Sequence, residues 1–274
     1  MSIDRLERLW RSFGVGLFLA LIGLGGTLMA LTVFPLLFLT ISDRIKRQRA
    51  FQFVLHCSFK LCCFGIKRLR IADLQIVGAQ RLASLRGVLI VANHPSLLDV
   101  VLIMSIAPRV QCIVKAALWR NPFFRLTLSG ADYIRNDLAP EQLLDACRQT
   151  LAAGNNLIVF PEGTRTIPGQ APKLQRGFAN IAAFAEADLQ LITFTCDPPQ
   201  MFKGNPWWDV PRRRSCLTME IGERLNITDF LRSRSRPLAA RKLVAFLNSY
   251  YSEKLGYEPI GTGAEAADRL GAEA

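Results

Sequence analysis

The sequence predicts an α/β sandwich in which helices flank a mostly parallel or mixed sheet, preceded by an N-terminal membrane helix or helical pair. Two observations carry this prediction. From about residue 71 onward, short runs of branched apolar residues alternate with stretches that carry helix signals, and this alternation is typical of α/β folds. Before it, residues 13–41 form a run of 29 positions without a charged side chain. The 274 residues suffice for one domain with a full core.

The uncharged segment 13–41 is expected to be a retained membrane anchor. As one helix it would be roughly 43 Å long, which exceeds the thickness of a bilayer core. The segment fits one tilted span, or two short helices broken near Gly25 and Gly26 or at Pro35. A cleaved signal peptide is disfavoured, because the apolar run is long and a basic cluster follows it directly. Residues 1–12 are expected to be a short interfacial amphipathic lead-in.

Much of the positive charge lies beside this anchor. The formal net charge is +12 at pH 7, and residues 1–80 contribute +7 of it, from eleven Lys or Arg against four Asp or Glu. Basic residues beside an apolar span favour anionic lipid on the cytoplasmic leaflet. No nucleic-acid partner is expected, because zinc-ligand spacing and RNA-binding aromatic motifs are absent from the sequence. We therefore expect a protein of the inner (cytoplasmic) membrane whose folded domain faces the cytoplasm.

Cysteine and histidine usage argues against a metal site. The seven cysteines include no C-x-x-C pair, and neither of the two histidines lies beside a cysteine pair. Scattered cysteines suit a reducing compartment, in which the thiol acts as a small apolar group. His56, among apolar neighbours, is expected to be a buried or interfacial structural residue. We expect neither a metal nor a redox cofactor.

Turn and capping signals divide the rest of the chain into alternating elements. A helix at 50–70 is expected on or under the membrane. It is followed by strands at 74–78, 87–93, 110–115, 132–135, 156–160, 189–196 and 216–223, by helices at 95–106, 121–130, 139–154, 173–187 and 238–255, and by a loop rich in Pro, Trp and Arg at 198–214. Such folds bind ligands at the carboxyl ends of strands. The predicted domains are a membrane-anchoring segment (1–45), a folded domain (46–258) and a disordered tail (259–274).

The stretch VANHPSLLDVV (91–101) contains the first candidate catalytic residues. His94 ends a buried strand, and Asp99 lies in the first turns of the following helix. If the turn is tight, the aspartate fixes the tautomer of the imidazole, and the free ring nitrogen deprotonates a hydroxyl. Ser96 is close, but no G-x-S-x-G elbow is present. The simpler interpretation is a two-residue base for a substrate hydroxyl, although a His and an Asp at this spacing are also common as structural pairs.

A second stretch, IVFPEGTRT (158–166), follows another buried strand directly. Gly163 lets backbone approach a ligand, and Arg165 offers a fork for a phosphate or a carboxylate. Taken alone, a turn with a surface ion pair would explain these residues equally well.

Together the two stretches resemble the glycerolipid acyltransferases, and in particular the lysophosphatidic acid acyltransferase group. Residues 94–99 match the H-x-x-x-x-D motif, and FPEGTR (160–165) matches the second hallmark block at the expected distance. The resemblance covers roughly residues 45–255. It implies an acyltransferase-type sandwich in a membrane enzyme that passes an acyl chain from a thioester to a lysolipid hydroxyl.

The resemblance also implies roles for single residues. His94 would be the general base and Asp99 its orienting partner. Acceptor-binding positions of the second block would be Glu162, Gly163, Thr164 and Arg165. Three further basic residues resemble positions of other family segments and complete the predicted binding set: Lys115, Arg135 and Arg176.

Two positions depart from the family pattern. The middle block commonly reads G-x-I-F-I-x-R, whereas GADYIRND (130–137) places Arg135 one position early and Asn136 at the usual arginine position. The strand after the second block has no proline until Pro198. The expected acceptor is 1-acyl-glycerol-3-phosphate, but the departures leave another lysolipid, an amino-acid lipid or a polyene pigment lipid open.

The expected reaction moves an acyl chain from acyl-CoA or acyl-carrier protein to a lysolipid in phospholipid biosynthesis, with membrane lipids as further partners and no cofactor. Two other classes stay open. A non-catalytic lipid-binding protein of the same fold is disfavoured, because both His94 and Asp99 are present. A lipase or thioesterase using Ser96 or a cysteine is disfavoured by the missing elbow.

Overall fold

A computed structural model describes residues 3–232 and 235–258. Within these ranges seven strands form one sheet in the order β1-β7-β6-β2-β5-β3-β4. The strands are β1 (Ala72–Val77), β2 (Leu89–Ala92), β3 (Val110–Val114), β4 (Ile134–Arg135), β5 (Asn156–Val159), β6 (Leu189–Asp197) and β7 (Ser215–Leu225).

Strand direction decides where the two sequence motifs meet. β6 and β7 pair antiparallel, and the other neighbouring strands pair parallel. β1 and β7 therefore run against the other five strands. The carboxyl ends of the adjacent strands β2 and β5 lie at the same edge of the sheet, and each motif directly follows one of them. The predicted mixed sheet flanked by helices is confirmed.

Helices cover both faces of the sheet. One face carries α1 (Ile3–Leu31), α3 (Arg44–Arg68), α4 (Ala79–Ala83) and α5 (Asp99–Ile106), and the other carries α8 (Pro140–Ala152), α9 (Gly177–Ala185) and α11 (Arg236–Leu255). β2 serves both cores, because Ile90 and Ala92 point into the first and Leu89 and Val91 into the second. The remaining helices are α2 (Val33–Thr40), α6 (Ala116–Arg120), α7 (Pro122–Gly130) and α10 (Thr228–Leu231).

The N-terminal apolar segment is a helical pair. α1 ends at Leu31, the backbone turns at Thr32, and α2 follows. Pro35 has no N–H to donate to the carbonyl of Leu31, so the helical ladder is interrupted near that point, while Gly25 and Gly26 stay inside α1. Taken as one helical stretch, Arg5–Thr40 is long and apolar enough to cross a membrane.

One side of α1 packs into the fold along its length, since Met29 near its end contacts a small cluster around Phe34 and Phe51. Val15 and Phe18 are buried in the core beneath it. Further along, α1 and α2 expose a series of large apolar side chains to the outside: Leu21, Leu24, Leu28, Leu31, Leu36 and Leu39. The helical pair therefore has one face seated on the domain and an opposite face without protein cover.

Several predicted boundaries shift. The helix predicted at 95–106 begins only at Asp99, because residues 95–98 form a turn that closes on the Asp99 side chain. The helix predicted at 173–187 spans Gly177–Ala185. The three shortest helices, α4, α6 and α10, were not predicted, since five or fewer residues carry no readable period. The predicted tail at 259–274 lies outside the described residues.

Candidate active site

Asn93 fixes the point at which the chain leaves the sheet. β2 ends at Ala92, but the Asn93 side chain continues the pairing with β6: its Oδ1 accepts from Phe194 N at 2.7 Å and its Nδ2 donates to Phe194 O at 2.8 Å. Asn93 is buried, so water does not compete for these bonds. The next residue, His94, therefore starts from a rigid support.

His94 and Asp99 form the contact that their spacing suggests. His94 Nδ1 lies 2.9 Å from Asp99 Oδ2. Ser96 N donates to the same oxygen at 2.9 Å, and this bond shapes the turn between β2 and α5. The imidazole stacks on Phe160 with 4.1 Å between ring centroids. An ionised carboxylate accepts only, so Nδ1 carries the proton, and Nε2 has no partner within the described part of the protein.

The Asp99 carboxyl group is inaccessible to solvent. It is fully buried, and its Oδ1 lacks a hydrogen-bond partner among the described residues. Burial raises the pKa of Asp99 to about 6, although the bonds from His94 and Ser96 act in the opposite direction. The carboxyl group is therefore shielded from water and held directly against the His94 ring.

The loop that follows β5 binds both the backbone N–H and the backbone C=O of His94. We call residues 162–166 the clamp loop. Glu162 Oε1 accepts from His94 N at 2.9 Å and from Thr166 Oγ1 at 2.8 Å. Thr166 N donates to His94 O at 2.7 Å. Burial raises the pKa of Glu162 above its ordinary value, although the hydrogen bonds from His94 and Thr166 act in the opposite direction. Thr166 could not be recognised from the sequence as a site residue, because only its four-residue spacing from Glu162 points to this contact.

A large cavity opens in front of His94. Its volume is about 1840 Å³, and it extends from the carboxyl edge of the sheet to the apolar helices α1 and α3. Apolar side chains such as Phe18, Leu21 and Phe59 line the part of the cavity formed by α1 and α3. Polar groups gather at the His94 end: Lys115, Asn136, Thr164, Arg165, Gln175, Asn180 and Lys203. The cavity thus combines a hydrocarbon compartment with a cationic rim.

The structure brings together only part of the predicted binding set. Lys115, Gly163, Thr164 and Arg165 line the cavity. Glu162 does not line it, since its carboxylate serves the His94 backbone. The other two predicted residues lie elsewhere: Arg135 pairs with Asp137 at 2.8 Å, and Arg176 is exposed at the start of α9.

Four polar residues at the His94 end of the cavity were not in the predicted binding set: Asn136, Gln175, Asn180 and Lys203. Lys203 comes from the 198–214 loop, where a single lysine in a Pro- and Trp-rich stretch gives no signal in the sequence. Asn136 occupies the position at which arginine is usual in the resembling family. Arg165 also serves this loop, because its Nη1 donates to Met201 O at 2.7 Å and to Phe202 O at 3.2 Å.

Amide donors for a developing negative charge are available both in the clamp loop and at the start of α5, where Val100 lines the cavity and its N–H has no acceptor among the described residues. The amides of residues 94 and 96–99 all donate to protein acceptors. Those of Thr164 and Arg165 have no acceptor among the described residues, and both residues line the cavity.

Other nucleophiles are poorly placed. Ser96 is buried, and its Oγ accepts from Leu98 N inside the turn. Burial raises the pKa of Cys112, a cavity residue, to about 12, so its thiol stays protonated. The described residues contain no group of three His, Cys, Asp or Glu side chains that could hold a metal. The arrangement therefore suits a general base that acts on a substrate hydroxyl.

Comparisons with known proteins agree with this geometry. Residues 73–197 match the family model "Acyltransferase". The chain is 37% identical over 87 residues to a 1-acyl-sn-glycerol-3-phosphate acyltransferase of Helicobacter pylori, covering 30% of this chain and 37% of that protein. It is 33% identical over 99 residues to the enzyme of the same name from Cocos nucifera, covering 34% and 32%. The chain thus spans about a third of the length of these curated relatives.

A solved structure matches nearly the whole chain. The 1-acyl-sn-glycerophosphate (LPA) acyltransferase of Thermotoga maritima superposes with a TM-score of 0.66, covering 93% of this chain and 99% of that one. Sequence identity is 19%, so this likeness establishes the fold.

Replacing Asp99 by asparagine should preserve or raise stability. The pKa of Asp99 in the folded protein is about 6, above its ordinary value of 3.8. Between these two values the folded protein binds a proton that the unfolded chain releases. The free energy of unfolding therefore falls as pH rises through this range. Asparagine does not ionise, so Asp99→Asn removes this pH-dependent loss of folding stability. Its melting temperature in detergent should equal or exceed that of the wild type by roughly 2–4 °C near pH 7.5, and the difference should shrink toward pH 4.

The matched control is Asp145→Asn, which breaks an exposed ion pair with Arg148 on α8 and should change the melting temperature little at either pH. An Asp99→Asn protein that melts far below the wild type at about pH 7.5 would show that the ionised carboxylate stabilises the fold.

Glu162 should act on the rate through the His94 backbone. Glutamine keeps the accepting oxygen, whereas alanine leaves the His94 amide and the Thr166 hydroxyl without a partner. Glu162→Ala should lower the kcat of acyl transfer roughly ten- to a hundred-fold with little change in KM for the acceptor, and Glu162→Gln should recover most of it. A glutamine variant as inactive as the alanine variant, with a raised KM, would instead identify a carboxylate that binds substrate.

Proposed function

Because residues 73–197 match the family model "Acyltransferase", we propose that this chain moves an acyl chain from a thioester to the hydroxyl group of a lysolipid. The observation that carries the proposal is His94, held by Asp99 at the polar end of a cavity that continues into apolar helices. A base at a boundary between a cationic rim and a hydrocarbon compartment suits a substrate with a polar head and an acyl chain.

The reaction follows from the dyad. His94 Nε2 takes the proton of the acceptor hydroxyl as its oxygen attacks the thioester carbonyl. The new C–O bond gives a tetrahedral oxyanion, for which the amides of Thr164, Arg165 and Val100 are the proposed donors. Collapse breaks the C–S bond, and the leaving thiolate takes the proton back from His94. The buried Asp99 carboxylate stabilises the imidazolium between the two proton transfers.

The proposed acceptor is 1-acyl-glycerol-3-phosphate. Three cationic side chains line the polar end of the cavity, Lys115, Arg165 and Lys203, and a phosphomonoester is the lipid head that makes most use of them. Arg135, a predicted substrate-binding residue that stands one position early in its motif, is engaged with Asp137 outside the cavity. Lys203, on the 198–214 loop, supplies a positive charge in its place. An amino-acid lipid or a polyene lipid would leave part of this rim uncompensated.

We place the protein at the inner membrane with the sheet on the cytoplasmic side. The uncovered face of α1 and α2 supports this, as do the apolar side chains that α3 exposes, Phe53, Leu61 and Phe64. Basic residues follow the apolar pair directly, which favours the cytoplasmic leaflet. The donor is acyl-CoA or acyl-carrier protein as co-substrate, and the chemistry needs no metal or redox cofactor.

An aromatic cluster marks where the bilayer surface would lie. Trp10 and Phe13 of α1 stand near Trp207 and Trp208 of the 198–214 loop, and all four are half exposed. The loop is fixed to α1, since Ser12 Oγ donates to Trp208 O and the Trp207 ring lies against Gly16. Tryptophan prefers the headgroup level of a membrane, so this cluster supports a cavity mouth at that depth.

The proposed reaction is tested with purified protein, acyl-CoA and a panel of lysolipids. The wild type should form a diacyl product and release CoA in proportion. His94→Ala should reduce transfer by about 100- to 10,000-fold while membrane insertion is kept. The chain offers a matched control, His56→Gln, because His56 is buried and its Nδ1 bonds Met104 O; this variant should keep transfer within a few-fold.

Release of free fatty acid independent of any acceptor would assign a hydrolase instead. Equal activity of the His94→Ala protein would remove the proposed base. Strong preference for an uncharged hydroxyl acceptor over the phosphomonoester would remove 1-acyl-glycerol-3-phosphate as the acceptor and leave the reaction class intact.

The membrane placement predicts the depth of Trp208. A protein with Trp208 as its single tryptophan, the other three changed to phenylalanine, should be quenched by lipids brominated near the head of the acyl chain and shielded from aqueous acrylamide. A second tryptophan-free background carrying Phe246→Trp is the control, because Phe246 is similarly exposed but lies on α11, across the sheet from α1. Trp208 that is quenched by acrylamide as readily as the control would contradict the placement.

A further inference from the structure

A second hollow lies beside the catalytic cavity. It has a volume of about 430 Å³ and is bounded by α6, α7 and the end of β4. We call it the arginine hollow, after the residues that line it: Ala116, Trp119, Arg120, Arg125, Ser129 and Arg135. Its size falls within the range of small-ligand sites.

The charge of the arginine hollow is not balanced by the protein. Arg135 pairs with Asp137 through two bonds of 2.9 and 2.8 Å. Arg120 and Arg125 have no acidic side chain within ion-pair distance in the described part of the chain. Three guanidinium groups thus share one carboxylate, and an anion would relieve their mutual repulsion. Trp119 Nε1 is buried without an acceptor among the described residues, which is unusual for an indole N–H.

Only a thin partition separates the hollow from the cavity. Lys115 and Asn136 line the cavity, whereas their chain neighbours Ala116 and Arg135 line the hollow. The two segments are tied together, since Asn136 Oδ1 accepts from Ala116 N at 2.9 Å and Asn136 N donates to Val114 O at 3.0 Å. The hollow and the cavity are therefore adjacent, and one extended molecule could occupy both.

We propose that the arginine hollow binds the phosphates at the nucleotide end of an acyl-CoA donor. The inference rests on the proposed acyl transfer and adds a binding site for its donor. A planar guanidinium binds phosphate oxygens in pairs, and the CoA nucleotide carries a diphosphate and a 3′-phosphate. A long pantetheine arm separates these phosphates from the thioester, so they lie outside the cavity when the carbonyl is at His94.

Two alternatives fit the hollow less well. The phosphate of a lysolipid acceptor sits on the same glycerol unit as the attacking hydroxyl, so it stays inside the cavity beside Lys115 and Arg165. A carrier protein would present an acidic helix, which needs an extended basic face rather than a concave site of nucleotide size. The hollow therefore favours the small nucleotide donor.

The test compares the double variant Arg120→Ala/Arg125→Ala with the wild type. Its KM for acyl-CoA should rise roughly ten- to a hundred-fold, while KM for the lysolipid stays within about twofold. With acyl-pantetheine, which has no nucleotide, the variant and the wild type should perform alike. The control is Arg148→Ala, an exposed arginine of α8 that pairs with Asp145, and it should leave both KM values unchanged.

A binding measurement separates this proposal from the proposed function. Adenosine 3′,5′-bisphosphate alone should bind the wild type and bind the double variant at least about tenfold more weakly. Binding of this kind in a protein without transfer activity would support the site and contradict the reaction. An unchanged KM for acyl-CoA, a loss confined to carrier-protein donors, or a raised KM for the lysolipid would each overturn the proposal.

Discussion

The grip of the clamp loop on His94 is the interaction on which the catalytic geometry depends. β2 and β5 are neighbours in the sheet and run parallel, so the segments that leave their carboxyl ends meet. Glu162 and Thr166 then bind the N–H and the C=O of His94, and the side chain of the preceding residue, Asn93, bonds to β6. Three strands thus converge on one backbone position. The imidazole is positioned before any substrate arrives, which is what preorganised catalysis requires.

Burial of Asp99 costs stability but keeps its carboxylate in contact with His94. A buried carboxylate with one unpaired oxygen opposes folding once it is ionised, and an ordinary core residue would be more stable there. The same burial shields from water the contact between this carboxylate and the His94 ring. The unusual position of Asp99, inside the first turn of α5 and bonded back to Ser96, is therefore best understood through the reaction.

The 198–214 loop connects the N-terminal helices to the site. Near its start, Met201 O accepts from Leu97 N and from Arg165 Nη1. Further along, Val210 O accepts from Arg8 Nε. One segment thus contacts both the turn that carries the dyad and the helix that we place at the membrane. The depth of α1 in the bilayer would accordingly fix the height of the cavity mouth, and no separate docking element is needed.

Much of the frame could be predicted from the sequence, because strand and helix signals are local. The sheet, the apolar helical pair and the proximity of His94 to Asp99 all follow from residues close in the chain. Contacts between distant segments could not be predicted. Glu162 was expected to face substrate, yet it bonds the His94 backbone 68 positions away. Likewise, Lys203 joins the cavity only because its loop is fixed to α1 and Arg165.

The tautomer of His94 shows directly whether Asp99 keeps the proton on Nδ1 and leaves Nε2 free to act as the base. The chain has two histidines, so ¹⁵N-histidine spectra of the wild type and of His56→Gln assign the His94 signals without ambiguity. Near pH 8 we expect a proton on Nδ1 of His94 and none on Nε2, with a downfield Nδ1 proton signal that disappears in Asp99→Asn. A proton resident on Nε2, or an Nδ1 signal indifferent to Asp99, would contradict the claim that this carboxylate makes Nε2 the base.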